Sequence, residues 1–272
     1  MHSRTRTTLD WLAELDLGAW ILGIGSFIFG FACLLQRDFA IYWQPVPAGV
    51  PFREALAFAS AVLNMVSGLA LLDRRTARLA AQVNIALYLI FAAVNFTSQL
   101  WRLGVAEHLA VAVGAATIWA RISRARSNHP HRWSTLARII YGICSLIFGA
   151  SHLVGLEGTV QMIPTWMLGD PTFWAIFTGV AHAAVGIALI ANRGAILATR
   201  LGGLMYLCFA AIVWLPGAIV HPAEWLRWAG VGISLAMMGG LWSLGDYLSW
   251  ISAGEIRNPE ENDWRARTAR VG

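Results

Sequence analysis

Lysine is missing altogether: all 20 basic residues of this 272-residue chain are arginines. Charge of either sign is scarce, at 13% of residues, where soluble domains carry about 25%. So little charge cannot cover a soluble surface of this size. Cysteine is nearly absent. Cys33, Cys144 and Cys208 stand singly inside apolar runs, with no C-x-x-C spacing. That excludes a disulfide framework and a thiol-redox motif, and reads the three as small buried hydrophobes. There is no phosphate loop, no dinucleotide fingerprint, no soluble-enzyme triad and no H-x-x-x-H spacing of the kind that holds a metal.

What is present is hydrophobicity. It makes up 57% of the chain and gathers into eight runs, at 17–35, 55–72, 79–100, 103–120, 137–156, 173–191, 196–220 and 225–250. Runs of about 20 apolar residues are what a bilayer core requires. The expected fold is all-α: a polytopic integral membrane protein of eight transmembrane helices. The third and fourth runs meet near 101–104 with almost no loop, and one long helix there would reduce the count to seven.

The net charge of +5 raises the question of nucleic acid. The arginines answer it, because they sit between the apolar runs. With the N-terminus inside, the inner segments hold 16 of the 20: Arg4, Arg6, Arg74, Arg75, Arg78, Arg121, Arg124, Arg126, Arg132, Arg138, Arg193, Arg200, Arg257, Arg265, Arg267 and Arg270. Only Arg37, Arg53, Arg102 and Arg227 fall outside. This is the positive-inside pattern, with both termini cytoplasmic. It makes the lipid bilayer the partner and excludes nucleic acid. Tryptophans fall where interface belts belong, at Trp43, Trp101, Trp166, Trp174, Trp225 and Trp228 outside and at Trp119, Trp133 and Trp250 inside. Asp10, Glu14 and Asp16 precede a first run too long for a signal h-region, so the first helix is expected to stay as a signal anchor in a bacterial inner membrane.

The expected organisation is an N-terminal cytoplasmic or interfacial segment at 1–16, a first four-helix repeat at 17–120, a basic linker at 121–136, a second four-helix repeat at 137–250 and a polar tail at 251–272. Within the first segment, 9–15 could form an interfacial amphipathic helix. The repeat itself is visible as LGIGSFIFGFACLL from Leu22 against YGICSLIFGASHLV from Tyr141, an offset of 119. Gly23/Gly142, Ser26/Ser145, Phe29/Phe148 and Gly30/Gly149 coincide, as do Pro45 and Pro164. After one gap Gly68 matches Gly186, Arg75 matches Arg193, and YLIFAA from Tyr88 matches YLCFAA from Tyr206. Four helices is an even number, so the two repeats should be parallel, related by a pseudo-two-fold axis along the membrane normal.

GICSLIFGASHL in the fifth run, MIPTWM in the loop after it and TGVAHAAVGIALI in the sixth run resemble the DoxX-like family of four-helix membrane proteins. The likeness covers 137–250 well and 19–120 only in degraded form. It implies the four-helix fold and an association with quinone-linked oxidation, the setting from which the family takes its name. The chain departs from the pattern at His182, where relatives commonly carry an acid. The first half departs further, with Cys33 in place of His152 and Asn64 in place of His182.

Ionisable residues inside apolar runs are the functional pointers in a membrane protein. His152 near the outer end of the fifth run and His182 near the middle of the sixth could bond a quinone carbonyl, relay protons or ligate a haem. The plain alternative is interhelical hydrogen bonding. His221 and Glu224 stand at the outer turn after the seventh run. Asn64, the repeat partner of His182, marks a degenerate site or helix–helix glue. His108 reads as an interfacial histidine, and no charge at mid-membrane or broken helix stands out. Three functions fit: an accessory or subunit of a quinone-linked oxidoreductase, acting with a membrane protein partner; a scaffold that binds lipids or partners; and a small-molecule transporter. Whether the protein is an enzyme stays open at this point.

Overall fold

The computed structural model describes residues 16–98, 101–123 and 130–257. The expected interfacial helix at 9–15 and most of the polar tail lie outside the described residues. The described elements are α1 (Leu17–Gln36), α2 (Arg53–Ala70), α3 (Ala77–Asn95), α4 (Trp101–Ile122), α5 (Pro130–Val154), the short α6 (Leu156–Met162), α7 (Pro171–Ala191), α8 (Ala195–Cys208), a π-helical segment (Phe209–Trp214), α9 (Leu215–Val220) and α10 (Trp225–Arg257). The last three before α10 form one continuous rod, so eight rods correspond to the eight apolar runs.

Seven of the eight are long and apolar enough to cross a membrane. The eighth, α2, has 18 residues and opens on Arg53 and Glu54, which dilute its hydropathy. Its place in the bundle beside α1 is nonetheless that of a span. The doubtful third boundary resolves into two helices, α3 and α4, packed against each other as a hairpin. The protein is therefore a polytopic membrane protein. Its outer surface agrees: Phe31, Phe58, Val66, Leu79, Ile90, Val180, Ile187 and Leu201 are all exposed, as lipid-facing side chains must be.

α5 starts earlier than the fifth apolar run. Pro130 occupies its first position, where a missing N–H costs nothing and the fixed φ suits a helix. Arg132 therefore rides on a helix rather than in the linker expected at 121–136, and Arg138 stands two turns into that helix. Cys33 and Cys144 are buried as expected, but Cys208 is exposed on the lipid side, so the small-buried reading fails there.

Lipid offers no hydrophobic drive between helices, so close backbone packing over small residues does that work. α1 supplies two such faces. Gly23 and Gly30 press on Gly68 and Ala61 of α2. Gly18, Leu22, Gly25 and Phe29 meet Ser243, Gly239, Ala236 and Gly232 of α10 in an antiparallel register with four- and three-residue steps. A Cβ on Gly25 would collide with the backbone of Ala236 and Gly232. In the second half Gly142 and Gly149 press on Gly186 and Gly179 of α7. α4 and α10 cross where Gly114 meets Gly240. Seven-residue glycine spacing places both members of each pair on one helix face.

The two ends of the bundle are well separated. Arg121 pairs with Asp16, Arg200 with Asp246 at 2.5 Å, and the Tyr247 hydroxyl donates to the Pro130 carbonyl at 3.3 Å; all lie at the arginine-rich end. At the far end Arg53 pairs with Asp38 and Arg227 with Glu224 at 2.5 Å.

Replacing Gly25 with leucine should force α1 and α10 apart. The expected cost is about 1–3 kcal/mol, the range for overpacking a tight core. A melting temperature in detergent several degrees below wild type would show it, while Ile24→Leu on the lipid side should leave the melting temperature unchanged.

Candidate functional site

Proline starts the local story. Pro216 lacks an N–H and its ring crowds the preceding turn. The helix adjusts upstream by widening: the Leu215 N–H reaches back five residues to the Ala210 carbonyl. π segments of this kind gather at functional sites. This break in the seventh span is contrary to the sequence expectation of unbroken helices. It matters because its two ends point at different things. Phe209 lies against the histidine pair, and Trp214 lies against Trp43.

The histidines come together. The His152 and His182 ring centroids are 5.2 Å apart. His182, on α7, is 2% exposed. Phe148 approaches it edge-on at 5.5 Å, Tyr206 at 5.5 Å and Phe209 at 5.9 Å. Small residues make this possible: Gly149 and Gly179 let α5 and α7 close on each other, and the His152 Cβ sits against Gly179. The Thr178 hydroxyl fixes His152 through Nδ1 at 3.0 Å, while itself bonded to the Trp174 carbonyl at 2.9 Å. Among the described residues no hydrogen bond closes on the ring nitrogens of His182. His152 is only half-buried, so the pair is approached from the far end of the bundle.

Behind His182 runs a polar string that sequence reasoning missed. Among the described residues the Tyr206 hydroxyl is buried without completing a hydrogen bond. Tyr141 stands beside it and donates to the Met237 carbonyl at 3.2 Å. Glu107, in the second turn of α4, lies within electrostatic reach of Tyr206 and takes the Trp43 indole as partner. Trp43 is buried between Phe29 (6.0 Å) and Trp214 (5.9 Å). The string therefore runs from α4 of the first half to α7 of the second. An acid inside an apolar run was the available signal, and Glu107 carried it.

His108 corrects another expectation. It does not face headgroups but is packed inside the bundle, 1% exposed. Nδ1 bonds the Gly104 carbonyl at 2.8 Å and faces Asn95 at 3.4 Å. Its ring touches Tyr88 and Phe91, both at 5.9 Å, and Nε2 has no partner among the described residues. Asn95 also donates to the Trp43 carbonyl at 2.8 Å. Asn64 is buried on α2; its Nδ2 donates to the Ser60 carbonyl at 3.0 Å while Oδ1 finds no partner among the described residues. His221 and Glu224 do not join the histidine pair. They form an exposed cluster, with His221 Nδ1 3.8 Å from Glu224, and the Arg227 bond to Glu224 lowers that carboxyl below its usual range. Among the described residues no three His, Cys, Asp or Glu side chains converge on a metal position.

At the same far end Asp38 anchors the loop between α1 and α2. Burial works to raise its carboxyl, but the Arg53 hydrogen bond, the Phe39 N–H and the Arg53 charge outweigh that and hold it below the ordinary range. A lowered folded value stabilises above the unfolded carboxylate range and is lost as pH falls through it. Asp38→Asn should therefore speed hydrogen exchange of the 38–53 loop at neutral pH. The gap from wild type should close as the pH drops below that of an ordinary carboxylate; a gap independent of pH would contradict the ion pair's role.

Residues 134–222 match the DoxX family. The match begins in α5 and runs past α9, so it contains His152, His182, Tyr206, Phe209 and the π segment. That stretch of this membrane protein is thus DoxX-like. No curated protein and no solved structure matches the chain.

Proposed function

We propose that the protein is an accessory or subunit of a quinone-linked oxidoreductase system, holding a small hydrophobic carbonyl ligand, a quinone, against His152 and His182. The supporting observation is the imidazole pair: two rings 5.2 Å apart, dry on one side, half-open on the other and walled by Phe148, Tyr206 and Phe209. A neutral imidazole N–H donates to a carbonyl. Aromatic walls suit a flat ring. The DoxX match over these residues supports the same reading. Haem suits the geometry poorly, because the two rings pack on each other and leave no plane for a porphyrin between them. His221 and Glu224 would stand at the mouth of the site, and Asn64 would be its degenerate counterpart in the first half.

In this reading the chain is a tandem of parallel four-helix repeats, 17–120 and 137–250, in a bacterial inner membrane with the arginine-rich end in the cytoplasm. Support comes from packing: the repeat-matched glycines Gly23/Gly142 and Gly68/Gly186 make the same contacts in each half. A second reading, a small-molecule transporter, is favoured by the π break in the seventh span and by Glu107 inside a helix. Discontinuous helices and intramembrane acids are the working parts of such proteins.

Protein purified in mild detergent should release a quinone on organic extraction. His182→Ala should lower the retained amount at least ten-fold while the melting temperature in detergent stays within a few degrees. Extracts free of quinone, or equal occupancy in wild type and His182→Ala, would refute the redox reading. Liposome flux of a small solute above background would then select the transporter.

A further inference from the structure

The arginine-rich end of the second half holds a cavity of about 430 Å³ that none of the functional readings uses. Arg138 lines it, along with His131, Ser134, Asn192 and the first residues of α8, Ala195 and Ile196. Not one aspartate or glutamate is among its described lining residues.

Arg138 is only 7% exposed. Its Nη1 donates to the Leu189 carbonyl at 2.5 Å and reaches the Ile190 carbonyl at 3.5 Å, both in the last turn of α7. Those bonds use one nitrogen. Nε and Nη2 make no bond to the described residues, and no described acid pairs with the guanidinium. A buried cation in that condition is costly unless something anionic compensates it. The cavity is also where α8 begins. Its N-cap is Gly194 in the left-handed conformation, with no side chain capping the first turn. The free N–H groups of that turn and the helix dipole favour an anion at this point. The arginine and the helix start come from different elements, and both bear on one space.

The repeat explains why the feature is new to this half. At the offset of 119 the residue matching Arg138 is Ala19, so the first half cannot form the same site. The surroundings indicate the form in which the anion arrives. Leu136, Ile139, Leu197 and Leu201 are exposed beside the cavity, as a surface along which an acyl chain would lie.

We propose that this cavity is a phosphate-binding site, filled from the bilayer by the headgroup of an anionic phospholipid. Arg138 and the N-terminal turn of α8 hold the phosphate oxygens, with the Asn192 amide as a neutral donor beside them. The bidentate geometry available to a guanidinium suits this role.

The test uses full-length protein in detergent, followed by thermal shift and native mass spectrometry. Phosphatidylglycerol, phosphatidylcholine and inorganic phosphate are titrated separately. Phosphatidylglycerol should raise the melting temperature and remain bound where phosphatidylcholine does not, with at least ten-fold weaker binding in Arg138→Gln. Because Arg138 also caps α7, that variant could misfold. Thr135→Glu, at an exposed lining position, leaves those caps in place and adds a negative charge to the cavity, and should weaken binding similarly without lowering the lipid-free melting temperature. A response to inorganic phosphate at millimolar concentration would assign the same residues to a free anion instead of a headgroup. If neither probe binds, or if both variants bind phosphatidylglycerol as wild type does, the proposal is wrong.

Discussion

The contact between the first and last spans organises this protein. Gly18, Leu22, Gly25 and Phe29 of α1 lie on Ser243, Gly239, Ala236 and Gly232 of α10 at backbone distance. In water, such a surface would be too small and too smooth to drive association. In lipid the balance is different, since dispersion at close range is what distinguishes helix from lipid as a neighbour. By joining the two ends of the chain's helical order, this seam closes the bundle around α4, which crosses α10 at Gly114 and Gly240. α1 can serve both α2 and α10 because its glycines are spaced by seven on two separate faces.

The same logic explains why the two halves differ. At the offset of 119, Gly18, Leu22 and Gly25 of α1 correspond to Ala137, Tyr141 and Cys144 of α5. The small residues of the α1 seam are thus replaced by larger ones on α5, and Tyr141 donates to the Met237 carbonyl of α10. The junction that remains takes in Trp43, Glu107 and Tyr206, a polar string leading to His182. Asymmetry at a few positions turns a structural seam on one side into a chemically equipped one on the other.

The π segment connects that junction to the histidines. FAAVN at 91–95 and FAAIVW at 209–214 begin alike, but the second continues through a proline two residues later. In the first half the helix ends at Asn95, whose amide tethers the Trp43 loop. In the second it widens and continues, presenting Phe209 to one side and Trp214 to the other. The arginine-rich end follows a plainer rule. Its arginines are shared between ion pairs with Asp16 and Asp246, the last-turn carbonyls of α7 and, on the proposed reading, lipid phosphate.

Much of the architecture was legible in the chain itself. Eight apolar runs, the arginines between them and the absence of lysine determined a polytopic helical membrane protein, because bilayer thickness and the cost of burying charge act on composition alone. His152 and His182 could be singled out for the same reason, whereas the third and fourth runs, which meet with almost no loop in the sequence, separate only in the structure, where α3 ends at Asn95 and α4 begins at Trp101. What only the tertiary structure decided was direction and partnership. Hydropathy counts a residue's polarity without its azimuth, so His108 looked interfacial yet is buried, Cys208 looked buried yet faces lipid, and Glu107 passed unnoticed inside its run. Periodicity alone cannot say which of two glycine faces meets which helix, nor that a proline six residues past Ala210 widens the turn before it. Those outcomes depend on contacts between residues far apart in sequence, and the packing of α1 on α10 is what brings them together.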